Sequence, residues 1–282
     1  MSGTPAPRTV AESDLELDAR PLDVIVLGSQ LAYGSVGAGP VERVLTGAGY
    51  RVALVPTTLL GSLPHYDTVH GGPIPDAWLE GFLDDLCRRE VVGRLRMVVV
   101  GYLSSPAQAT IIGRWVDRLR ETLPALTLIV DPAMGDDDVG LYTDAAVAGA
   151  YRDELVPRAT GITPNLYELE LLTNTRADSV ENAHTIASGL LGGTMHWVIV
   201  TSVDRLDEDR VSTLVLDAQG AQVTTSPRVA SGAKGAGDLF VAVLVRELLG
   251  HEALASAATH AAAAVGQALA AAGRAADTQR RK

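Results

Sequence analysis

Short apolar runs alternate with amphipathic segments along most of this chain, and this alternation constrains its fold more than any other feature. Runs rich in Val, Ile and Leu predict strands at residues 23–28, 51–56, 97–101, 126–131 and 196–201. Amphipathic segments between the first four runs predict helices at residues 37–49, 76–90 and 106–122. A repeated strand–helix order is typical of right-handed βαβ units. It predicts an α/β fold with a central, mostly parallel sheet.

The second half of the sequence predicts a hairpin and two closing helices. The segments 210–217 and 222–226 favour two paired strands. Gly- and Ala-rich segments at about 235–249 and 252–271 predict the helices. No linker separates two cores, so we expect a single domain over residues 21–272.

The two ends of the chain are polar. Residues 1–20 contain Pro5 and Pro7 and lack periodicity, which predicts a disordered tail. Residues 273–282 predict a second, polar tail. The first 20 residues have no apolar core of a signal peptide, and no uncharged apolar run is long enough to span a bilayer. We therefore expect a cytoplasmic protein that does not bind membranes.

Charge and cysteine content narrow the function classes. The chain has 282 residues and a net charge of -11 at pH 7. An acidic protein repels phosphate backbones, so we do not expect nucleic acid as a partner. A nucleotide is still possible, because backbone amides can hold phosphate locally. Cys87 is the only cysteine, which excludes an intrachain disulfide and fits a reducing compartment.

A glycine-rich turn in the last quarter of the chain carries the clearest chemical signal. Residues 232–240 read Gly-Ala-Lys-Gly-Ala-Gly-Asp-Leu-Phe and lead into an apolar helix. The amides of Gly235, Ala236 and Gly237 at that helix N-terminus would form an anion hole. Asp238 can accept a proton from a substrate hydroxyl during phosphoryl transfer. The structural alternative is an ordinary glycine turn in which Asp238 caps the helix.

Other nucleotide-binding signatures fit the sequence less well. It contains no Gly-x4-Gly-Lys-[Ser/Thr], which excludes a Walker-type site. The segment after the first predicted strand lacks the third glycine of the dinucleotide fingerprint, which disfavours a Rossmann dehydrogenase.

Two acidic motifs in the middle of the chain predict a metal site. Asp131-Pro-Ala-Met-Gly-Asp136 follows a predicted strand, and two carboxylates near a phosphate site attract Mg²⁺. Thr163-Pro-Asn165 then precedes Glu168, whose carboxylate in the first turn of a helix can hold metal-bound water. A good helix N-terminus is the structural alternative for Glu168.

Polar residues at the predicted strand ends indicate where a ligand would bind. In open α/β sheets, ligands lie outside the carboxyl ends of the strands. Those ends carry Gly28-Ser29-Gln30, Thr57-Thr58, Gly101-Tyr102, Asp131-Pro132, Thr163-Pro164-Asn165 and Thr201-Ser202. We expect these groups to lie along one edge of the sheet and to form the site.

Together the motifs resemble the pyridoxal kinase branch of the ribokinase superfamily. The family patterns Gly-[Thr/Val]-Gly-Asp, Asp-Pro-Val-Met-Gly-Asp and Thr-Pro-Asn-x-x-Glu-x-Glu-Leu-Leu correspond to residues 235–238, 131–136 and 163–172. Residues 28–37, Gly-Ser-Gln-Leu-Ala-Tyr-Gly-Ser-Val-Gly, resemble the family's Gln-Ser-His-Val-x-x-Gly-x-Val-Gly. The resemblance covers about residues 22–272 and implies a ribokinase-like three-layer α/β/α sandwich.

The resemblance also implies an activity. The chain would be an ATP:pyridoxal 5′-phosphotransferase of vitamin B6 salvage, which phosphorylates the 5′-hydroxymethyl group of pyridoxal, pyridoxine or pyridoxamine. It would use ATP, Mg²⁺ and K⁺, and it would form a homodimer.

The same resemblance implies roles for individual residues. Asp238 would be the catalytic base and would touch the substrate, beside an anion hole formed by Gly235, Ala236 and Gly237. ATP would be bound by Asp131, Thr163, Glu168, Thr201 and Ser202. The substrate would be bound by Ser29, Thr57, Tyr66 and Tyr102. The metal would be organised by Asp131, Asp136 and Glu168.

Two departures from the family pattern leave alternatives open. The family's Ser-His after the first strand is Ser29-Gln30 here, and its Ser-Asn-His-Thr loop aligns with Gly61-Ser62-Leu63-Pro64. A site that loses such hydrogen-bonding groups can change its substrate. A ribokinase-type kinase for another small alcohol, such as hydroxymethylpyrimidine, is therefore the first alternative. A non-catalytic vitamer-binding protein is the second, which the intact Gly-x-Gly-Asp disfavours.

Overall fold

The computed structural model of the protein describes residues 16–204, 207, 209–229 and 231–280. Most of the tail predicted at residues 1–20 lies outside these residues. Within its described end, the carboxylate of Asp18 lies 3.3 Å from the guanidinium of Arg51. The chain therefore contacts the folded body before its first strand begins.

Strands and helices alternate along the described chain. The strands are β1 (Val24–Leu31), β2 (Val52–Leu60), β3 (Gly71–Pro73), β4 (Met97–Val100), β5 (Thr127–Val130), β6 (Gly135–Asp136), β7 (Gly140–Leu141), β8 (Gly161–Ile162), β9 (Trp197–Val200), β10 (Arg210–Asp217) and β11 (Gly220–Pro227). The α-helices are α1 (Ala38–Gly47), α2 (Asp76–Arg88), α3 (Pro106–Thr122), α4 (Ala145–Ala150), α5 (Leu166–Thr173), α6 (Val180–Ser188), α7 (Ala236–Leu249) and α8 (Leu254–Arg280). A π-helical turn at Tyr151–Leu155 and a 3₁₀ turn at Val156–Arg158 follow α4.

Nine strands form one sheet, in the order β11-β10-β9-β8-β5-β4-β1-β2-β3. The six strands from β9 to β2 are parallel to one another. The three outer strands β3, β10 and β11 pair in the antiparallel sense. β6 and β7 form a separate small hairpin that follows β5. The mostly parallel central sheet predicted from the sequence is therefore confirmed.

Helices cover both faces of the sheet. Since successive residues of a strand point to opposite faces, each strand contributes side chains to two cores. In β1, Ile25 and Leu27 pack into one core with residues of α2 to α6, and Val24 and Val26 pack into the other with residues of α1, α7 and α8. All four side chains are at most 2% exposed. The result is the three-layer α/β/α sandwich that the sequence predicts.

Several boundaries differ from the predictions. β1 and β2 extend further than expected, so Gly28-Ser29-Gln30 and Thr57-Thr58 lie inside the ends of these strands rather than after them. The register of β1 against β2 shifts between Gly28 and Ser29, which marks an irregularity at this point.

The last helix is also longer than predicted. α8 continues to Arg280 instead of ending near residue 271, so residues 273–280 belong to a helix. None of the helices in the described ranges combines the length and the hydropathy needed to cross a membrane.

Candidate active site

A cavity opens at the carboxyl ends of the central strands. Gly28 of β1 and the loop residues Gly101 and Tyr102 after β4 line it, and Asp131 after β5 and Asp238 of α7 face it from the other side. Residues from three sequence motifs, far apart along the chain, therefore meet in one place. This is the edge at which ligands bind in open parallel sheets.

Asp238 lies in the first turn of α7, which begins after Gly235. The backbone N–H of Gly37 lies near its carboxylate and acts to lower its pKa. Burial nevertheless raises the pKa of Asp238 to about 6. A carboxylate with a pKa near the working pH is well suited to accept a proton.

The glycine turn is packed directly against the loop that follows β1. Gly235 has a φ of 99°, and a Cβ atom on it would lie 2.2 Å from the carbonyl oxygen of Ser35. Gly37 has a φ of 73°, and a Cβ atom there would lie 2.3 Å from the carbonyl oxygen of Ser29. Only glycine accommodates both the conformation and the contact. The N-terminus of α7 therefore packs against the loop that follows β1, where Gly37, Ala38 and Asp238 line the cavity. Gly235, Ala236 and Gly237 directly precede Asp238 in this turn.

Asp131 lies directly after β5 and next to the end of β8. The hydroxyl of the buried Thr163 donates a hydrogen bond of 2.7 Å to its Oδ1. Burial, together with the negative charge of Asp238, raises the pKa of Asp131 to about 7 despite this bond. The two aspartates thus form an electrostatically coupled pair at the cavity.

Glu168 is buried, with 4% of its surface exposed, and its carboxylate accepts backbone N–H groups. Oε2 accepts from Asn165 at 2.9 Å, and Oε1 accepts from Met134 at 2.9 Å and from Gly135 at 3.4 Å. The Asn165 side chain in turn accepts from the N–H of Glu168, which completes a capping box at α5.

The helix-capping alternative for Glu168 is therefore present in the structure, and the residue also fixes the loop that follows Asp131. Burial and the charge of Asp131 raise its pKa well above the ordinary value, and the three amides act in the opposite direction.

Tyr142 directly follows β7. Its partial burial, and then the negative charges of Glu168, Asp131, Asp238 and Asp136, raise the pKa of its hydroxyl. Asp136 itself is exposed in the small hairpin. Within the described part of the chain, no three His, Cys, Asp or Glu side chains are close enough together to hold a metal ion by themselves.

The four predicted substrate residues differ in burial and in their distance from the cavity. Tyr102 lines the cavity, and Ser29 is buried at the irregular end of β1. Thr57 is completely buried, and its hydroxyl donates to the carbonyl of Tyr102 at 2.6 Å. Tyr66 is 52% exposed in the loop after β2, where its ring centroid lies 6.4 Å from that of Tyr33.

The predicted nucleotide residues Thr201 and Ser202 follow β9. The N–H of Thr201 donates to the carbonyl of Pro164 at 2.9 Å, and this joins the end of β9 to the start of α5. Ser202 is exposed and has a φ of 51°, in the left-handed region. These residues therefore continue the same edge of the sheet, beyond Asp131 and Thr163.

Sequence reasoning missed two contributors to the site. Gly37 belongs to the motif at residues 28–37, but its effect on Asp238 depends on the packing of α1 against α7, which are far apart in sequence. Tyr142 stands in the Gly-Leu-Tyr sequence after Asp136, and its interaction with the charges of Asp131, Glu168 and Asp238 depends on the fold.

Comparisons with known proteins show the family of the chain. Residues 89–280 match the family model described as phosphomethylpyrimidine kinase. A curated pyridoxine/pyridoxal/pyridoxamine kinase from Bordetella bronchiseptica is 43% identical over 251 residues, which cover 88% of this chain and 89% of that protein. The pyridoxal kinase PdxY of Leifsonia xyli is 30% identical and covers 79% of both chains.

Solved structures show the same fold. The pyridoxal kinase of Entamoeba histolytica superposes with a TM-score of 0.83 at 22% identity, and the match covers 88% of this chain and 89% of that one. The pyridoxal kinase of Leishmania donovani, in complex with ADP and pyridoxamine, gives a TM-score of 0.79 at 22% identity and covers 87% and 85%.

Proposed function

The chain belongs to the phosphomethylpyrimidine kinase family, and we propose that it is an ATP-dependent pyridoxine/pyridoxal/pyridoxamine kinase of vitamin B6 salvage. The observation that carries the proposal is the position of Asp238, in the first turn of α7 and at the cavity formed by the strand ends. That arrangement is suited to phosphoryl transfer to a small alcohol. The similarity to curated B6 vitamer kinases over nearly the whole chain supports the substrate class.

Asp238 acts as the general base in this proposal. Its carboxylate takes the proton of the vitamer's 5′-hydroxymethyl group, and that oxygen bonds to the γ-phosphorus of ATP. The bond from the γ-phosphorus to the β–γ bridging oxygen breaks, and ADP leaves. The raised pKa of Asp238 makes its carboxylate a better proton acceptor than an exposed aspartate would be.

The amides of Gly235, Ala236 and Gly237 stabilise the transferring phosphoryl group. They stand at the N-terminus of α7, where the unpaired N–H groups and the helix dipole favour negative charge. Helix α1 begins after Gly37, next to Asp238. The N-termini of α1 and α7 therefore both favour an anion near Asp238. Such preorganised donors contribute strongly to catalysis, because they stabilise the negative charge that develops in the transition state.

The rest of the triphosphate binds along the edge toward β9. We assign Asp131, Thr163, Glu168, Thr201 and Ser202 to the ATP side. Thr163 holds Asp131 directly, and Glu168 fixes the loop after Asp131 through its amides. Glu168 therefore acts by holding this loop in place rather than by direct contact with the nucleotide.

The protein side chains alone would not complete the coordination of Mg²⁺ at this site, and ATP oxygens and water would supply the remaining ligands. Glu168 uses both carboxylate oxygens on backbone amides, whereas Asp131 and the exposed Asp136 keep oxygens for an ion. Mg²⁺ usually binds to one or two carboxylates and to substrate phosphates, which agrees with this arrangement. When bound, it neutralises the phosphate charge. K⁺ is proposed from the family resemblance alone.

The vitamer would lie over the loop residue Tyr102, with its hydroxymethyl group toward Asp238. Ser29, buried at the end of β1, would bind the pyridine ring, and the exposed Tyr66 would contact the vitamer from the loop after β2. Thr57 contributes through Tyr102, because its hydroxyl is already bound to the Tyr102 carbonyl.

One observation favours a second candidate. The loop Gly61–Pro64 lacks the His and Thr of the pyridoxal kinase pattern, and the matching family model carries the description phosphomethylpyrimidine kinase. A kinase for hydroxymethylpyrimidine is therefore the alternative. A non-catalytic vitamer-binding protein is disfavoured by the intact Asp238 and its amides. We also propose a cytoplasmic homodimer, from the family resemblance.

The variant Asp238→Asn tests the mechanism, because it keeps the size of the side chain and removes the base. We expect kcat to fall by about 10²- to 10⁴-fold, with the affinity for ATP retained within a few-fold. In the wild-type protein, kcat/KM should fall about tenfold per pH unit below the pKa of about 6, since only the ionised carboxylate accepts the proton. Asp178→Asn, at an exposed aspartate before α6, is the matched control. Full turnover by Asp238→Asn would contradict the proposal.

A further inference from the structure

Tyr151 is a completely buried tyrosine that the proposed chemistry does not use. It begins the π-helical turn that follows α4 and has no exposed surface. π-helical turns are rare and frequently occur near functional sites. A phenol that is removed from water needs a hydrogen-bond partner, because an unpaired buried hydroxyl is costly. The partner of Tyr151 therefore indicates what this residue holds.

The hydroxyl of Tyr151 donates to the carbonyl oxygen of Gly101. Gly101 is the first residue after β4, and its own N–H donates to Leu27 of β1 at 2.8 Å. Gly101 and Tyr102 both line the cavity, together with Asp131 and Asp238. The buried phenol thus reaches the backbone that carries Tyr102.

A second buried hydroxyl holds the next carbonyl of the same loop. Thr57 of β2 donates to the carbonyl of Tyr102 at 2.6 Å. The carbonyl of Thr57 is in turn held by the Nε2 of Gln108 at 2.8 Å and by the hydroxyl of Ser104 at 3.3 Å. Two successive carbonyls are therefore fixed by side chains from two separate elements, β2 and the π-helical turn.

We propose that Tyr151 is a positioning residue for the vitamer site, which acts by holding the Gly101 carbonyl and thereby the orientation of Tyr102. This inference rests on the proposed function, since it assigns Tyr102 to the vitamer side of the cavity. A change at Tyr151 should therefore affect the vitamer more than ATP, because its hydroxyl bonds to the loop after β4, whereas Thr163, Thr201 and Ser202 of the proposed ATP side lie on other loops.

The variant Tyr151→Phe removes the hydroxyl and keeps the ring. We expect the KM for pyridoxal to rise about 5- to 30-fold, the effect of losing one buried hydrogen bond, with kcat and the KM for ATP within about twofold. Backbone amides of residues 102–104 should exchange with deuterium faster than in the wild type. Thr213→Val, at a buried threonine of β10 away from the cavity, is the matched control and should change neither result.

Two results would overturn the inference. One is a folded Tyr151→Phe variant with an unchanged KM for pyridoxal. The other is an equal rise in both KM values, which would indicate a general structural role. If Tyr151→Phe does not fold, Thr57→Val tests the same loop through its other carbonyl and should raise the KM for pyridoxal alone. If the wild type phosphorylates no vitamer, the proposed function fails, and the exchange of residues 102–104 still decides whether Tyr151 holds the loop.

Discussion

Replacing Asp131 by Asn should stabilise the protein in the absence of nucleotide while it impairs turnover. Asp131 is partly buried beside Asp238, and burial and this neighbouring charge raise its pKa from the ordinary 3.8 to about 7. The ionised carboxylate is therefore unfavourable in the folded protein. Asn is neutral and keeps an oxygen for the hydroxyl of Thr163.

The size of the effect follows from the two pKa values. The folded protein binds the proton of Asp131 more tightly than the unfolded chain does. This tighter proton binding stabilises the folded state. The stabilisation is fully present below about pH 4 and is lost as the pH rises through about 7. One pH unit corresponds to about 1.4 kcal/mol. Relative to the wild type, the free energy of unfolding of Asp131→Asn should be higher by about 2 kcal/mol at pH 5 and by up to about 4 kcal/mol at pH 8.

Urea unfolding at pH 5, 6, 7 and 8 measures this difference directly. Asp138→Asn, at an exposed aspartate of the same loop, is the control and should show no comparable gain at pH 8. The reasoning is refuted if Asp131→Asn is less stable than the wild type at pH 8, or if the difference does not grow with pH.

Two further variants test the construction of the site. Gly235→Ala should lower the free energy of unfolding by about 1–3 kcal/mol and abolish most of the turnover, because its Cβ would meet the Ser35 carbonyl in a left-handed backbone conformation. Gly232→Ala, where a Cβ meets nothing within 4 Å, is the control and should be close to neutral. Equal urea midpoints for the two variants would contradict the contact. Glu168→Gln should lower the free energy of unfolding by about 1–3 kcal/mol, because its new NH₂ group faces backbone N–H donors. Glu168 accepts three backbone amides where Asp131 accepts one hydroxyl, so this loss exceeds the gain from removing the buried charge. The exposed Glu181→Gln in α6 should cost less than about 1 kcal/mol, and a similar loss in both variants would refute the role of Glu168 in the loop.

The regular part of the fold is predictable from the sequence because its signals are local. The apolar runs at β1, β4 and β5 coincide with the strands that they predict. Short strands such as β6 and β8 have two residues each, too few to show any periodicity. The π-helical turn has no sequence signal either, since it depends on how α4 and the turn pack against α3.

The site was predictable in its location but not in its internal hydrogen bonds. The strand-end rule brings Tyr102 and Asp131 together, and the structure has both at one cavity with Asp238, which the glycine-rich turn indicated separately. The rule cannot show that Thr57 gives its hydroxyl to Tyr102, because that bond joins residues 45 positions apart. It also cannot separate the capping and metal roles of Glu168, because both place a carboxylate in the first helical turn.

The most direct test of the proposed function is phosphoryl transfer from ATP to purified alcohols. Wild type and Asp238→Asn would be compared with Mg²⁺ and K⁺ on pyridoxal, pyridoxine, pyridoxamine and hydroxymethylpyrimidine, with detection of the phosphorylated product. The account predicts phosphorylation of at least one B6 vitamer, lost in Asp238→Asn and more efficient than that of hydroxymethylpyrimidine. Turnover of hydroxymethylpyrimidine alone, or of none of the four, would contradict it.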